Sequence, residues 1–257
     1  MTEPAEQSIT IRVAQRMADI DAAAWDAMGG CDHPFVSHAF LNALEQSGSA
    51  TAETGWMPQH VLIEDADGKL IGGAPLYLKS HSHGEYIFDH GWAEGFERAG
   101  GQYYPKALIA VPFTPATGPR LLTAPGAPET TKETLLAGCM EVCRRINVST
   151  LHINFLSEKD WQLCGGNGLL QRTSEQFHWI NQGYKTFDDF LANLASRKRK
   201  AIRKERRGAL ANGELEIETV TGDQITEEHW DAFFAFYMDT GSRKWGRPYL
   251  TREFFSQ

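Results

Sequence analysis

The sequence predicts an α/β (α+β) protein in which a mixed sheet is flanked by helices. Short segments in which apolar and polar residues alternate, typical of strands, are interspersed with longer segments of helical periodicity. Asp65-Ala-Asp-Gly68 separates two of the predicted strands and is typical of a hairpin turn. Apolar residues make up 42% of the chain, enough for a globular core. This order of elements indicates one sheet with helices on both faces.

Strands are predicted where apolar residues alternate with polar ones or where a short apolar run ends at turn residues. The predicted strands are Ser8–Ala14, His60–Glu64, Ile71–Lys79, Glu85–Phe88, Ala107–Val111, Leu151–Phe155 and, near the end of the chain, Glu214–Val220. Proline cannot donate a backbone hydrogen bond, so Pro112 is expected to stop the fifth of these strands.

Helices are predicted around Ile20–Met28, from Ser37 onward with Leu41 and Leu44 on one face, over Thr131–Ile146, and over Glu158–Leu163. Cys139 and Cys143 lie one turn apart in the third of these helices and are expected to be buried, unreactive thiols. The four cysteines include no CxxC pair, which argues against a metal or redox site.

The net charge of −8 conceals a separation of charge. Residues 197–207 hold eight basic groups and one acid, and the rest of the chain holds 17 basic and 32 acidic groups. Thr186-Phe-Asp-Asp189 resembles a capping box ahead of this basic segment. The sequence favours a solvated basic helix. The alternative is a site for an anionic partner: a phosphorylated cofactor, a nucleotide-linked precursor or RNA. Residues 195–210 contain no aromatic side chain for base stacking, which makes RNA the weaker alternative.

The acidic N-terminus lacks the apolar core of a secretory signal, and no apolar run approaches the roughly 18 residues that a membrane-spanning helix needs. With cysteines expected to be reduced, these features predict a cytoplasmic protein.

The chain contains two similar patterns. Trp25-Asp-Ala precedes Pro34-Phe-Val-Ser-His-Ala-Phe-Leu41, and Trp230-Asp-Ala precedes Pro248-Tyr-Leu-Thr-Arg-Glu-Phe-Phe255. They predict a tandem repeat whose second copy is truncated, with chance similarity as the alternative. The predicted organisation is a first repeat over residues 1–183, a basic linking helix over residues 184–212, and an incomplete second repeat over residues 213–257.

Residues 103–120 form an unusual proline-rich stretch. Thr114, Thr117, Gly118 and Arg120 lie close together in a loop that follows a predicted buried strand. Loops at the carboxyl ends of strands are common ligand sites in α/β sheets, and backbone N–H groups beside an arginine are suited to a phosphate or carboxylate. The alternative is a proline-braced connection whose arginine pairs with a surface acid.

Glu85, Asp89 and His90 form a second candidate group, in which a carboxylate or imidazole serves as a general base beside an amine. In the alternative interpretation, Tyr86 and Phe88 pack inward while the polar residues face water. His81-Ser-His83 offers only two potential ligands, so no metal site is predicted. The loop Gln162-Leu-Cys-Gly-Gly-Asn-Gly168 approaches the pyrophosphate-binding pattern of acetyltransferases but is interpreted as a helix C-cap.

Five segments together resemble a bacterial family of predicted N-acyltransferases labelled peptidoglycan biosynthesis or recognition proteins. This family is akin to the Fem aminoacyl transferases and the GNAT acetyltransferase superfamily. The segments are Pro34–Leu41, Tyr103–Lys106, Pro112–Arg120, His178-Trp179 and Arg197–Arg207. The resemblance implies two GNAT-like repeats and transfer of an acyl or aminoacyl group to an amine, with acetyl-CoA or another acyl-CoA as a possible donor.

For such a reaction, roles are predicted for particular side chains. Substrate or anion contacts are expected from Thr114, Thr117, Gly118 and Arg120, additional positive charge from Lys106 and Arg203, and a general base from among Asp89, His90 and His178. Two alternatives from other classes remain open: a non-catalytic module that recognises cell-wall precursors, and RNA binding through residues 197–207. The donor, the acceptor amine and the oligomeric state are left open.

Overall fold

The computed structural model describes residues 9–30, 32–209, 211, 217–244 and 247–257. The strands in these residues are β1 (Thr10–Ala14), β2 (Trp56–Pro58), β3 (His60–Glu64), β4 (Leu70–Ala74), β5 (Leu76–Lys79), β6 (Lys106–Ile109), β7 (Leu122–Thr123) and β8 (Leu151–Ile153). The α-helices are α1 (Ala22–Trp25), α2 (His38–Gln46), α3 (His90–Arg98), α4 (Thr131–Arg145), α5 (Glu158–Gly166), α6 (Phe187–Ala192), α7 (Ser196–Ala209) and α8 (Glu227–Ser242). None of the helices in the described residues is long and apolar enough to span a membrane.

The strands form two four-stranded sheets. The first has the order β1-β3-β4-β7 and is antiparallel throughout, whereas the second has the order β2-β5-β6-β8 and is mixed, since β6 and β8 run parallel. The chain passes from one sheet to the other at Pro75, between β4 and β5. The predicted strand Ile71–Lys79 is therefore two strands in two sheets. The predicted mixed α/β architecture is confirmed.

Helices cover both faces of the first sheet. Val61 and Ile63 of β3 pack into a core cluster with Leu135 and Cys139 of α4, while Leu62 points the other way. Leu62 joins a second cluster that includes residues of α1 and α2, among them Trp25 and Leu41. Because successive side chains of a strand alternate between its faces, a strand covered on both sides is apolar at every position.

Several predicted boundaries hold, because local signals set them. Ser37 caps α2 by accepting a hydrogen bond from the Phe40 N–H, and Gly68 takes a positive φ of 77° in the turn between β3 and β4. The helices predicted over Thr131–Ile146 and Glu158–Leu163 correspond to α4 and α5, and Cys139 and Cys143 are buried as predicted.

Other predicted elements are wrong. Residues 85–89 form no strand, and Tyr86 has a φ of 57°, which is incompatible with extended backbone. The helix predicted over Ile20–Met28 is reduced to the four residues of α1, followed by a widened turn that ends near Gly29, where φ is 109°. Of the strand predicted over Glu214–Val220, residues 217–220 are irregular, and the remainder lies outside the described residues, as do Ser8 and Cys31.

The chain divides into two compact units: one comprises residues up to 171 together with 227–257, and the other residues 172–226. In the second unit the predicted capping box is confirmed, because Thr186 Oγ1 accepts from the Asp189 N–H (3.1 Å) and the Asp189 side chain accepts from the Thr186 N–H (2.8 Å). The tandem repeat and its boundaries at residues 183 and 212 stay predictions.

Candidate active site

A buried cluster of charged side chains lies where the second sheet meets the loop over residues 80–89. Lys79, the last residue of β5, pairs in register with Lys106, the first residue of β6. Both side chains are fully buried. Two buried ammonium groups on neighbouring strands require nearby carboxylates, because an unpaired buried charge is costly. The loop supplies two carboxylates, and both pair with Lys106.

Lys106 is the centre of the cluster. Its Nζ donates to Ser82 Oγ (2.8 Å), to Glu85 Oε2 (2.9 Å) and to Asp89 Oδ2. The Tyr103 hydroxyl also donates to Asp89 Oδ2, at 2.8 Å. Glu85 is 3% exposed and Asp89 is 1% exposed, so the two carboxylates are as inaccessible as the lysines they balance.

The alternative interpretation, in which the aromatic residues of the segment 85–89 pack inward and its polar residues face water, is wrong. Tyr86 is 45% exposed and Phe88 is 76% exposed, while the carboxylates of Glu85 and Asp89 are buried. Burial still alternates along residues 85–89, but the inward-facing positions are the acidic ones. The acidic residues therefore face the lysines, and the aromatic residues face solvent.

The environment shifts the pKa values of the cluster in different directions. Burial lowers the pKa of Lys79 to about 7; Glu85 opposes this shift and the Lys106 charge adds to it. Burial raises the pKa of Glu85 even though Lys106 is close. For Asp89, burial acts to raise the pKa, but hydrogen bonds from Lys106, Ser82 and Tyr103 outweigh it and lower the pKa to about 2.

These pKa values distinguish the possible general bases. A base works best when its pKa lies near the working pH. The pKa values of Lys79 and Glu85 are shifted toward neutral pH. The pKa of Asp89, one of the predicted bases, is shifted away from neutral pH. The geometry gives Asp89 the role of holding Lys106 and Tyr103.

Two carboxylate oxygens of the cluster lack a partner. Among the described residues, Glu85 Oε1 and Asp89 Oδ1 are buried and accept no hydrogen bond. Buried acceptors normally have a donor, so their orphaned state marks a position where an incoming N–H or O–H group would be stabilised.

Lys79 lies beside a small cavity. Its Nζ donates to the carbonyl oxygens of Gly55 (3.0 Å) and His83 (3.4 Å) and lies 3.7 Å from the centroid of the Trp56 ring. Trp56 and His83 also line a cavity of about 100 Å³, which is closed on another side by Pro248 and Tyr249. The cavity is large enough for a small polar group.

The C-terminal segment is attached to this region by specific contacts. Tyr249 stacks on Phe113, with ring centroids 4.8 Å apart and an interplanar angle of 9°. Thr251 donates from Oγ1 to the Ser47 carbonyl (2.9 Å) and from its N–H to Ser49 Oγ (3.1 Å). One wall of the cavity therefore comes from residues at least 135 positions distant in sequence from the others.

The predicted anion loop over residues 112–120 has its arginine in the interior of the protein. Arg120 is fully buried and donates to the carbonyls of Asn154 (3.0 Å), Pro119 (3.0 Å) and Ala116 (2.6 Å). Its burial lowers its pKa to about 10. The alternative in which Arg120 pairs with a surface acid is wrong.

The remaining polar groups of this loop are also engaged. The Gly118 N–H donates to the Phe155 carbonyl (3.0 Å), and Thr114 Oγ1 donates to the Pro112 carbonyl (3.0 Å). The carbonyl of the exposed Thr117 lies 3.1 Å from His33 Nε2. In this conformation the groups brace the loop, and their role in binding an anion stays a prediction.

The other predicted site residues lie apart from the cluster. His90 begins α3 and is exposed. His178 and Arg203 belong to the unit of residues 172–226, where His178 Nε2 lies 3.0 Å from Gln176 Oε1 and Arg203 pairs with Asp188 (2.9 Å). Their catalytic and anion-binding roles stay predictions.

The loop Gln162–Gly168, which approaches a pyrophosphate-binding pattern, does not fit the phosphates of an acyl-CoA. The loop Gln162–Gly168 forms the C-terminal end of α5, where the Asn167 N–H donates back to the Leu163 carbonyl. A helix C-terminus presents carbonyl oxygens and a partial negative charge, which disfavour a phosphate. The interpretation of this loop as a helix C-cap is confirmed.

Lys79, Ser82 and Tyr103 belong to the site although none of them is a predicted site residue. A lysine at the end of an otherwise apolar strand was the available signal for Lys79. Tyr103 was included in a motif but had no assigned role. Their proximity depends on the register of β5 against β6, which composition and periodicity do not specify.

A model of the FemAB-like family, described as peptidoglycan biosynthesis/recognition, matches residues 16–257. The chain belongs to the FemAB-like family. The family resemblance of the five motifs is thereby confirmed. No curated protein matches this FemAB-like chain significantly in sequence.

The FemAB-like chain is also similar to several solved structures. An aminoglycoside N-acetyltransferase in complex with CoA shares 11% identity with it at a TM-score of 0.41, over 71% of this chain and 100% of that one. Glucosamine-6-phosphate N-acetyltransferase from Arabidopsis thaliana shares 10% identity at a TM-score of 0.41, over 68% and 99% of the two chains. A GNAT family acetyltransferase from Staphylococcus aureus shares 12% identity at a TM-score of 0.37, over 67% and 99%.

Proposed function

We propose that the protein is an N-acyltransferase that transfers an acyl group from an acyl-CoA thioester or an aminoacyl ester to an amine, carried by a cell-wall precursor or a small metabolite. The observation that carries this proposal is the family match over residues 16–257, whose description refers to peptidoglycan biosynthesis.

The buried cluster supports the proposal, because it offers what an amine acceptor needs. The orphaned oxygens Glu85 Oε1 and Asp89 Oδ1 are acceptors for the N–H groups of an incoming amine. Because both carboxylates are almost fully buried, the amine reaches them only when the loop over residues 80–89 opens. Either Glu85 or the neutral amine of Lys79 takes up the proton, since the pKa of each is moved toward neutrality. The nitrogen then attacks the acyl carbon, a C–N bond forms, the C–S or C–O bond of the donor breaks, and the proton passes to the leaving thiolate or alkoxide.

The test is detection of the acylated product by mass spectrometry. The chain is incubated with a nucleotide-linked peptidoglycan precursor that carries a free amine, in separate reactions with acetyl-CoA and with aminoacyl-tRNA. A product with one donor identifies the donor class. Absence of product with both donors, while the precursor binds, would contradict the proposal.

Three variants assign the base. Glu85→Gln is expected to lower the rate by about 10²–10⁴-fold if Glu85 is the general base. Lys79→Met is expected to do so if Lys79 is the base. Glu97→Gln is the matched control, because Glu97 is exposed and lies outside the cluster. Circular dichroism and thermal unfolding of each variant separate a lost base from a lost fold.

A non-catalytic module that recognises cell-wall precursors is a second candidate. It is favoured by the complete burial of Lys79 and Lys106 and by the internal hydrogen bonds of Gly118 and Arg120. Calorimetry with the same precursor distinguishes the two functions. Recognition alone gives saturable binding without product and without dependence on a donor.

A further inference from the structure

The basic helix α7 has two different faces. Its inner face contacts α6 and the residues around it: Arg203 pairs with Asp188 (2.9 Å), the guanidinium of Arg206 lies 4.3 Å from the centroid of the Phe187 ring, and Arg199 donates to backbone carbonyls that include that of Ala192. These arginines hold the two helices together.

The outer face carries a stripe of cations. Arg197, Lys200, Lys204 and Arg207 follow one another at intervals of three, four and three residues, which places them within about 80° of the helix circumference and along roughly 15 Å of its length. All four side chains are exposed. We name these four residues the outer stripe. A row of fixed positive charge of this kind is complementary to an anionic surface.

Apolar side chains are exposed in the same unit. Phe177 is 100% exposed, Trp179 66% and Ile180 74%. They follow one another in a segment, residues 169–182, that has no regular secondary structure. Contiguous exposed apolar residues usually mark an interaction surface.

We propose that residues 172–226 dock onto the surface of an anionic lipid bilayer. The outer stripe binds the lipid headgroups, and Phe177, Trp179 and Ile180 enter the boundary between headgroups and acyl chains. Clusters of lysine and arginine beside exposed tryptophan, phenylalanine and aliphatic residues are typical of segments that lie on membranes. This proposal is independent of acyl transfer, because it uses no residue of the buried cluster.

The side-chain contacts favour lipid over single-stranded RNA. RNA requires aromatic ring faces on which bases can stack. The Trp179 ring is already packed near-parallel to Tyr184 (6.2 Å, 26°) and meets Phe190 edge-on (6.0 Å), and the face of Phe187 is covered by Arg206. Phe177 keeps an exposed ring, but Ile180, which is 74% exposed, offers no stacking face and is suited to a hydrocarbon environment.

The experiment is sedimentation of the whole chain with vesicles of phosphatidylcholine alone or of phosphatidylcholine mixed with phosphatidylglycerol. Binding is expected only to the anionic vesicles. Replacing all four residues of the outer stripe with glutamine should weaken binding by at least about a hundredfold, since each basic residue near such a surface contributes roughly 1 kcal/mol. Phe177→Ser with Ile180→Ser should also weaken binding, although the charge is unchanged.

A matched control neutralises four exposed cations elsewhere, with Lys69, Arg98, Arg145 and Lys159 each changed to glutamine. This control should bind anionic vesicles like the wild type. A blue shift in tryptophan fluorescence on vesicle binding should be lost in Trp179→Phe. No binding to anionic vesicles would overturn the proposal. So would binding to single-stranded RNA that depends on the outer stripe but not on Phe177 and Ile180.

Discussion

Replacement of Lys106 by methionine tests whether the buried cluster is ionised as described. Methionine retains the volume of the side chain but removes the ammonium group that donates to Glu85 and Asp89. Because both carboxylates are almost fully buried, neither can recover its lost partner from water. Removing one member of a buried ion pair typically costs about 3–5 kcal/mol. For a protein of this size, this corresponds to a decrease in Tm of roughly 6–20 °C.

The loss of stability in the Lys106→Met variant should depend on pH in a defined direction. In the wild type the pKa of Asp89 is about 2, below its value in the unfolded chain, so its stabilising contribution is present at neutral pH and is lost only as the pH falls from about 4 toward 2. Without Lys106, both carboxylates take up protons more readily in the folded state. The difference in stability between wild type and variant should therefore be largest at pH 7 and smaller at pH 4.

The assay is urea unfolding of both proteins at pH 7 and pH 4, followed by circular dichroism. The double variant Lys106→Met with Glu85→Gln should regain part of the loss, because one unpaired charge is removed with its partner. Arg144→Met is the surface control, since the Arg144–Glu141 pair is exposed, and little change is expected. A loss below about 1 kcal/mol that is the same at both pH values would refute the described cluster, because a buried pair should cost several times more.

Three further predictions concern single side chains, each measured by unfolding. Arg120→Met should destabilise the fold by about 2–4 kcal/mol, because one buried and two half-buried carbonyls lose a charged donor, and an unchanged stability would contradict the described bracing role. Gly73→Ala should cost about 1–3 kcal/mol, since its new Cβ would lie 2.8 Å from a ring carbon of Trp25; a stability equal to that of the wild type would contradict this tight packing. Lys79→Met should remove a rise in stability between pH 7 and about pH 10, because the unfolded chain binds a proton there that the folded chain lacks. Parallel pH profiles for this variant and the wild type would contradict the lowered pKa.

The sequence specified most elements of the first unit whose limits depend on nearby residues. Ser37 begins α2 because its side chain can satisfy a free N–H of the first turn, and Gly68 permits the left-handed turn between β3 and β4. The strand predicted at residues 85–88 was wrong because it also depended on a local signal alone. Apolar alternation at Tyr86 and Phe88 is a local signal, but burial of Glu85 and Asp89 against Lys106 is a tertiary interaction that overrides it.

The candidate site was only partly predictable. Several of its residues could be identified as chemically suitable, but their proximity to one another could not be predicted. Glu85, Asp89 and Lys106 are all candidate residues in the sequence. However, Lys106 was predicted to help bind an anionic group, and the carboxylates were predicted to act as a base beside an amine. The pairing of Lys79 with Lys106 across β5 and β6 explains why the assignments change. Two adjacent lysines in a sheet interior must be neutralised by the protein itself, by carboxylates or by loss of a proton. Both solutions are present here, in the ion pairs of Lys106 and in the lowered pKa of Lys79.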